Sequence, residues 1–110
     1  MMRVIVAGAV AWTNEETLRR ELAKLPPGAT VIHGDSPGAD ALGGRIAAEL
    51  GLAVEPMAKS KADYAKYKRG AWKGLNERML ASGAVQVLVF HPALEKSRGS
   101  GHLVGLARAA

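Results

Sequence analysis

Short apolar, β-branched runs alternate along the chain with segments in which apolar residues recur at helical spacing. The runs lie at residues 3–7, 30–33, 52–57 and 85–90. Each run is short and largely apolar, which is typical of strands that are buried on both faces of a parallel sheet. The pattern therefore predicts four strands, the first of which ends at Gly8.

A capping pattern marks the start of the first predicted helix. Thr13 and Glu16 are three residues apart, the spacing of a capping box, in which each side chain satisfies a free backbone N–H of the first turn. Pro26-Pro27-Gly28 stops this helix, because proline lacks the N–H that a helix needs. The apolar positions between these two signals are Leu18, Leu22 and Leu25.

Three further helices follow the later apolar runs. The second predicted helix ends at Gly51 and the third at Gly83, since glycine readily adopts the left-handed conformation that closes a helix. Residues 99–109 form the last predicted helix. The apolar positions of the second and third are Ala39, Leu42, Ile46, Ala47 and Leu50, then Trp72, Leu75, Met79 and Leu80.

The alternation of strands and helices predicts a parallel sheet with helices on both faces. In such sheets ligands bind beyond the carboxyl ends of the strands. Three glycine-containing loops leave those ends, at residues 8–14, 34–38 and 91–100. The loop at 34–38 opens directly into a predicted helix, whose first N–H groups and positive dipole end attract an anion. The sequence therefore indicates a ligand that carries phosphate.

Length and composition predict one soluble domain. The chain has 110 residues, of which 48% are hydrophobic and 23% charged, as in ordinary globular proteins. It contains no cysteine, so disulfides and thiolate metal sites are excluded. No signal segment is recognisable, and no apolar run reaches the roughly 18 residues that span a bilayer. We expect a cytoplasmic protein with no membrane association.

The net charge of +5 and the isoelectric point near 9.9 come largely from one segment. Residues 58–69 are polar and basic and are predicted to form a loop or a frayed turn. Six cations fall within fifteen residues, namely Lys59, Lys61, Lys66, Lys68, Arg69 and Lys73, and Tyr64, Tyr67 and Trp72 interleave with them. Three interpretations stay open: a solvated helix face, a rim that attracts anionic ligands, or a surface that binds nucleic acid.

Four segments together resemble a known family. They are Val4–Gly8, the string His33-Gly34 with Gly38-Ala39-Asp40, the string Asn76-Glu77-Arg78-Met79-Leu80, and Val87–Phe90. In these segments the chain resembles the YspA/YpsA-related branch of the SLOG superfamily. The resemblance implies a Rossmann-like three-layer α/β domain with a mostly parallel sheet of four to five strands. It also implies binding or sensing of a nucleotide or a nucleotide-derived ligand, no further cofactor, and a possible homo-oligomer.

The resemblance also implies which residues contact the ligand. They are Gly8 in the first loop, Gly34, Gly38 and Asp40 in the second, Asn76 and Arg78 on the third helix, and Gly99 and Ser100 in the last loop. Ser36 is added because its hydroxyl can donate to a phosphate. These residues also have structural interpretations that need no ligand. The glycines could serve a tight turn, Asp40 could cap its helix, and Arg78 could be a solvated charge.

An enzyme is the alternative function that the resemblance suggests. LOG-type relatives are phosphoribohydrolases, in which a glutamate soon after a Gly-Thr string takes part in catalysis. Here the corresponding stretch, residues 99–104, contains no carboxylate, and Glu95 lies upstream in the loop. We therefore expect little phosphoribohydrolase activity, and no catalytic residue is assigned. The three histidines lack the spacing of a metal site, so no metal is predicted.

Overall fold

The computed structural model describes residues 2–92 and 99–109 and has the predicted α/β architecture. Its elements are β1 (Arg3–Gly8), α1 (Glu15–Leu22), β2 (Thr30–His33), α2 (Ala39–Glu49), β3 (Ala53–Pro56), α3 (Lys61–Tyr67), a 3₁₀ turn (Lys68–Gly70), α4 (Ala71–Ala81), β4 (Gln86–Phe90) and α5 (Gly99–Ala109). The predicted strand at 30–33 and the predicted helix at 99–109 match the structure in both bounds. Predictions that involve residues 93–98, including Glu95, lie outside the described residues.

The four strands form one parallel sheet in the order β3-β2-β1-β4. Strand β1 pairs with β2 on one side and with β4 on the other, so the chain reverses its direction of travel across the sheet at β1. At such a switch point the connections leave β1 and β4 on opposite faces, and a crevice opens beyond their carboxyl ends. The fold therefore places a crevice beside Gly8 and Phe90.

Side-chain alternation along β1 divides the core into two halves, one on each face of the sheet. Val6 and its neighbours pack against α1 and α2, whereas Ile5 and Ala7 pack against α4 and α5. The buried residues of the first half include Leu18, Leu22, Val31, Ile46 and Phe90, and those of the second include Ile32, Leu75, Met79 and Leu103. The result is the expected three-layer, Rossmann-like arrangement. No helix in the described part of the chain is both long and apolar enough to cross a membrane.

Two local predictions were wrong. The first helix is capped by Asn14 rather than Thr13, because the Asn14 side chain accepts the Thr17 N–H at 3.0 Å. The segment predicted as a loop contains helix α3, which a capping box between Ser60 and Asp63 begins. Its periodicity is weak because the side chain that faces the protein is the carboxylate of Asp63, not an apolar group.

Candidate functional site

A cavity of about 330 Å³ opens at the carboxyl ends of β1, β2 and β4. Its apolar walls come from β1 and its following loop, from α4 and from α5, and its polar groups come from the loops after the strands and from α2, α4 and α5. The polar and aromatic side chains that line it are Asp35, Ser36, Asp40, Lys59, Trp72, Asn76, His91 and Ser100. The cavity lies at the switch point, where a ligand site is expected in a doubly wound sheet.

Seven of the nine predicted site residues line this cavity. They come from the end of β1, the loop before α2 and the first turn of α2, from α4 and from the start of α5. They are Gly8, Gly34, Ser36, Asp40, Asn76, Gly99 and Ser100. Gly38 and Arg78 do not line it. The fold therefore brings together most of the candidate residues, although they are up to 92 positions apart in sequence.

Gly38 joins the second loop to the first one. Its φ is +76°, and a Cβ built on it would lie 2.3 Å from the Ala9 carbonyl oxygen and 2.4 Å from that of Val10. The next residue, Ala39, donates its N–H to the same Ala9 carbonyl at 3.1 Å. The first free N–H of α2 is therefore occupied by the protein itself, and this glycine shapes the cavity rather than lining it.

Arg78 holds α3 and the segment before it against α4. Its Nη2 donates to Asp63 Oδ2 at 2.5 Å and to the Ala58 carbonyl at 2.7 Å. Asp63 is buried, and the hydrogen bond from the Arg78 guanidinium lowers the pKa of its carboxyl to about 2. The guanidinium is thus engaged in a structural ion pair outside the cavity.

This arrangement predicts that Arg78→Ala lowers the free energy of unfolding by about 2 kcal/mol. The change leaves the buried Asp63 carboxylate without its cation, which costs about 3–5 kcal/mol at a fully buried pair. The expected loss is smaller because the Arg78 side chain is 39% exposed. Urea denaturation measures it. Arg20→Ala is the control, since that arginine is exposed and changes at such positions stay within about 0.5 kcal/mol. Equal effects of the two variants would contradict the structural role of Arg78.

Asp40 is the buried carboxyl of the cavity. The side chain is in the first turn of α2, and its Oδ2 accepts the Ser36 N–H at 3.3 Å. Burial raises the pKa of Asp40 to about 6, more than the Ser36 hydrogen bond lowers it. A Cβ on Gly34 would lie 2.8 Å from Asp40 Oδ2. A side chain at position 34 would therefore clash with the Asp40 carboxyl.

Lys59 is a lining residue that the candidate set did not include. It follows β3, and its backbone N–H and Nζ both donate to the Asp35 carboxylate, at 3.1 and 2.5 Å. Burial opposes ionisation of Asp35, but these hydrogen bonds from Lys59 hold the pKa of that carboxyl below its ordinary value. The only sequence feature that pointed to Lys59 was the basic run at residues 59–73. That run does not show which of its six cations lines the cavity.

Asn76 connects the cavity wall to α5. Its Nδ2 donates to the Gly99 carbonyl at 3.0 Å and lies 3.1 Å from His102 Nδ1. Because an amide nitrogen only donates, His102 accepts at Nδ1 and carries its proton on Nε2. The His102 ring in turn meets Trp72 edge-on, with the ring centroids 5.4 Å apart. This chain of contacts fixes where α5 begins at the cavity.

Comparison of the chain with known proteins and structures finds no relative. No family model matches the chain, and no curated protein or solved structure matches it. Within residues 2–92 and 99–109, no three histidine or acidic side chains form a group that could hold a metal ion.

Proposed function

We propose that this domain binds a nucleotide or a nucleotide-derived ligand of about mononucleotide size in the cavity. The observation that carries the proposal is the convergence of seven of the nine candidate residues on one cavity at the switch point. Small-molecule sites have volumes of roughly 300–1,000 Å³, and a cavity of about 330 Å³ is at the lower end of that range. This volume favours a mononucleotide over a dinucleotide.

Two features of the lining are suited to a phosphate. Lys59 provides a cation at the rim, and α5 begins at the cavity with Gly99 and Ser100 and has no acidic residue in its first turn. A helix start of this kind attracts negative charge. The phosphate would displace Asp35 from Lys59, exchanging one anionic partner for another.

The remaining polar groups suit the nucleoside part of the ligand. A carboxylate repels phosphate but accepts hydrogen bonds strongly from hydroxyl groups. Asp40 therefore belongs at the ribose, away from the phosphate. Trp72 lines the cavity and offers an aromatic surface for a base. Together these groups provide one contact for each part of a nucleotide.

A hydrolase that acts on such a ligand is the second candidate. Asp40 favours it, because a buried carboxyl with a pKa of about 6 in a cleft is suited to general acid or base catalysis. Release of free base from AMP, followed by chromatography, separates the two functions. Turnover that Asp40→Asn abolishes would favour the hydrolase, and binding without turnover favours the sensor.

A thermal-shift screen tests the binding proposal. A ligand at a hundredfold excess over its Kd stabilises the fold by about 2.7 kcal/mol. For a domain of this size the expected rise in Tm is about ten degrees or more. The panel consists of nucleoside mono- and diphosphates, cyclic nucleotides, dinucleotides and ADP-ribose. We expect a mononucleotide to give the largest rise, and no rise from any of them would contradict the proposal.

A variant that fills the cavity locates the ligand. Gly99 lines the cavity, and a Cβ built on it meets no described atom within 4 Å, so Gly99→Leu is expected to fold. The same is true of Gly105, which is exposed in the same helix but away from the cavity. Gly99→Leu should abolish the ligand-induced rise, whereas Gly105→Leu should retain it. An equal rise in both variants would place the ligand elsewhere.

A further inference from the structure

The basic segment at residues 59–73 carries more cations than nearby carboxylates pair with. The segment contains six cations and one carboxylate, Asp63, which is buried and paired with Arg78. Lys59 pairs with Asp35. In the described part of the chain the other five cations form no ion pair, although the Glu77 carboxylate acts on Lys66 from a distance. This side of the protein therefore carries an excess of positive charge.

One face of α3 combines this charge with an exposed aromatic ring. Lys61 and Tyr64 are three residues apart and lie on the same side of α3. Lys68 is the exposed residue directly after the helix, and its Nζ donates to the Ala65 carbonyl at 3.4 Å. Tyr64 is 51% exposed, an unusual state for a large aromatic side chain. Helix α3 packs against the domain through the buried Asp63 and through the Tyr67 hydroxyl, which donates to Glu77. The Lys61 and Tyr64 side chains are exposed.

Lys68, directly after α3, has a strained backbone conformation. It is the only non-glycine residue with a positive φ in the described part of the chain, with φ +55° and ψ −122°. A side chain is strained there and glycine is not. The turn itself would thus favour glycine, yet the position holds a cation. Strain of this kind is typical of positions that serve a function.

We propose that the face formed by Lys61, Tyr64 and Lys68 binds single-stranded nucleic acid, independently of the ligand cavity. Lysines that flank an exposed ring match the repeat of a single strand, in which phosphates alternate with bases that stack on aromatic side chains. An anionic membrane is less suitable, because apart from Tyr64 the exposed residues of α3 offer no large apolar side chain to insert.

Fluorescence anisotropy with a labelled oligothymidylate of about twelve nucleotides tests the proposal. Tyr64→Ala should weaken binding roughly 5- to 150-fold, the loss expected for one stacked base, without changing its salt dependence. Tyr64→Phe should bind as the wild type does. Lys61→Gln with Lys68→Gln should reduce the slope of log K against log salt by about 1.4, since each phosphate contact contributes about 0.7. Arg20→Gln with Arg108→Gln removes the same charge elsewhere and should leave the slope unchanged.

Lys68→Gly separates binding from folding. It should raise Tm by a few degrees because it relieves strain, and it should weaken oligothymidylate binding as much as Lys68→Gln does. The proposal is overturned if a duplex of equal length binds as tightly and Tyr64→Ala has no effect. It is also overturned if only phosphatidylserine vesicles bind, or if the control pair matches the lysine pair.

Discussion

Gly38→Ala is expected to lower the free energy of unfolding by about 4 kcal/mol, the largest effect of any substitution considered. A side chain at φ +76° and ψ −128° is strained by about 1–3 kcal/mol. The added Cβ would also overlap the carbonyl oxygens of Ala9 and Val10, and displacing a packed segment costs a further 1–3 kcal/mol or so. For a domain of this size Tm should fall by about 20 degrees.

Gly51→Ala is the matched control for this prediction. Gly51 also has a positive φ, +79°, but a Cβ built on it meets nothing within 4 Å. Its substitution should therefore cost only the strain, about 1–2 kcal/mol. Urea denaturation of both variants gives the difference, which measures the contact between the two loops. Equal losses in the two variants would show that the contact does not constrain position 38.

The same glycine shows where sequence reasoning reaches its limit. A glycine between a strand and a helix predicts a close backbone approach, and the structure contains one. The group that makes this approach in the structure is the carbonyl of Ala9. Local pattern cannot separate an approaching carbonyl from an approaching phosphate, because both require the absence of a side chain. Only the packing of the loop at 8–14 against the loop at 34–38 distinguishes them.

Most strands and helices were predictable from the sequence, because the apolar residues of a buried strand and of a buried helix recur at different spacings. Strand β2 and helix α5 follow the apolar pattern in both bounds. Helix α3 does not, because it is held by an ion pair between Asp63 and Arg78, fifteen positions apart. Lys59 reaches the cavity for a similar reason, since Asp35 on another loop positions it. Polar contacts between distant segments leave no periodic trace in the sequence.

The pH dependence of stability is expected to show the effect of Asp40. Its pKa rises from 3.8 in the unfolded chain to about 6 in the folded protein, so the folded state binds more protons between these values. Stability therefore falls as pH rises from about 4 to about 6, and stays low above that. A shift of roughly two pKa units corresponds to about 3 kcal/mol. The pKa of Asp63 is lowered to about 2, so this residue affects the free energy of unfolding only below about pH 4. In that range stability falls as pH falls.

Asp40→Asn should remove the decline between pH 4 and pH 6 and stabilise the protein by about 3 kcal/mol at pH 7, measured by urea denaturation. Asp35→Asn is the comparison variant: the charge of Asp35 is a minor cause of the raised pKa of Asp40, behind burial, so its removal should narrow the decline without abolishing it. A wild-type curve that is flat from pH 4 to pH 6 would contradict the prediction. A carboxylate that costs stability at neutral pH and lines a cavity is typical of a functional site. The same variant should therefore bind the mononucleotide more weakly, as the fold becomes more stable.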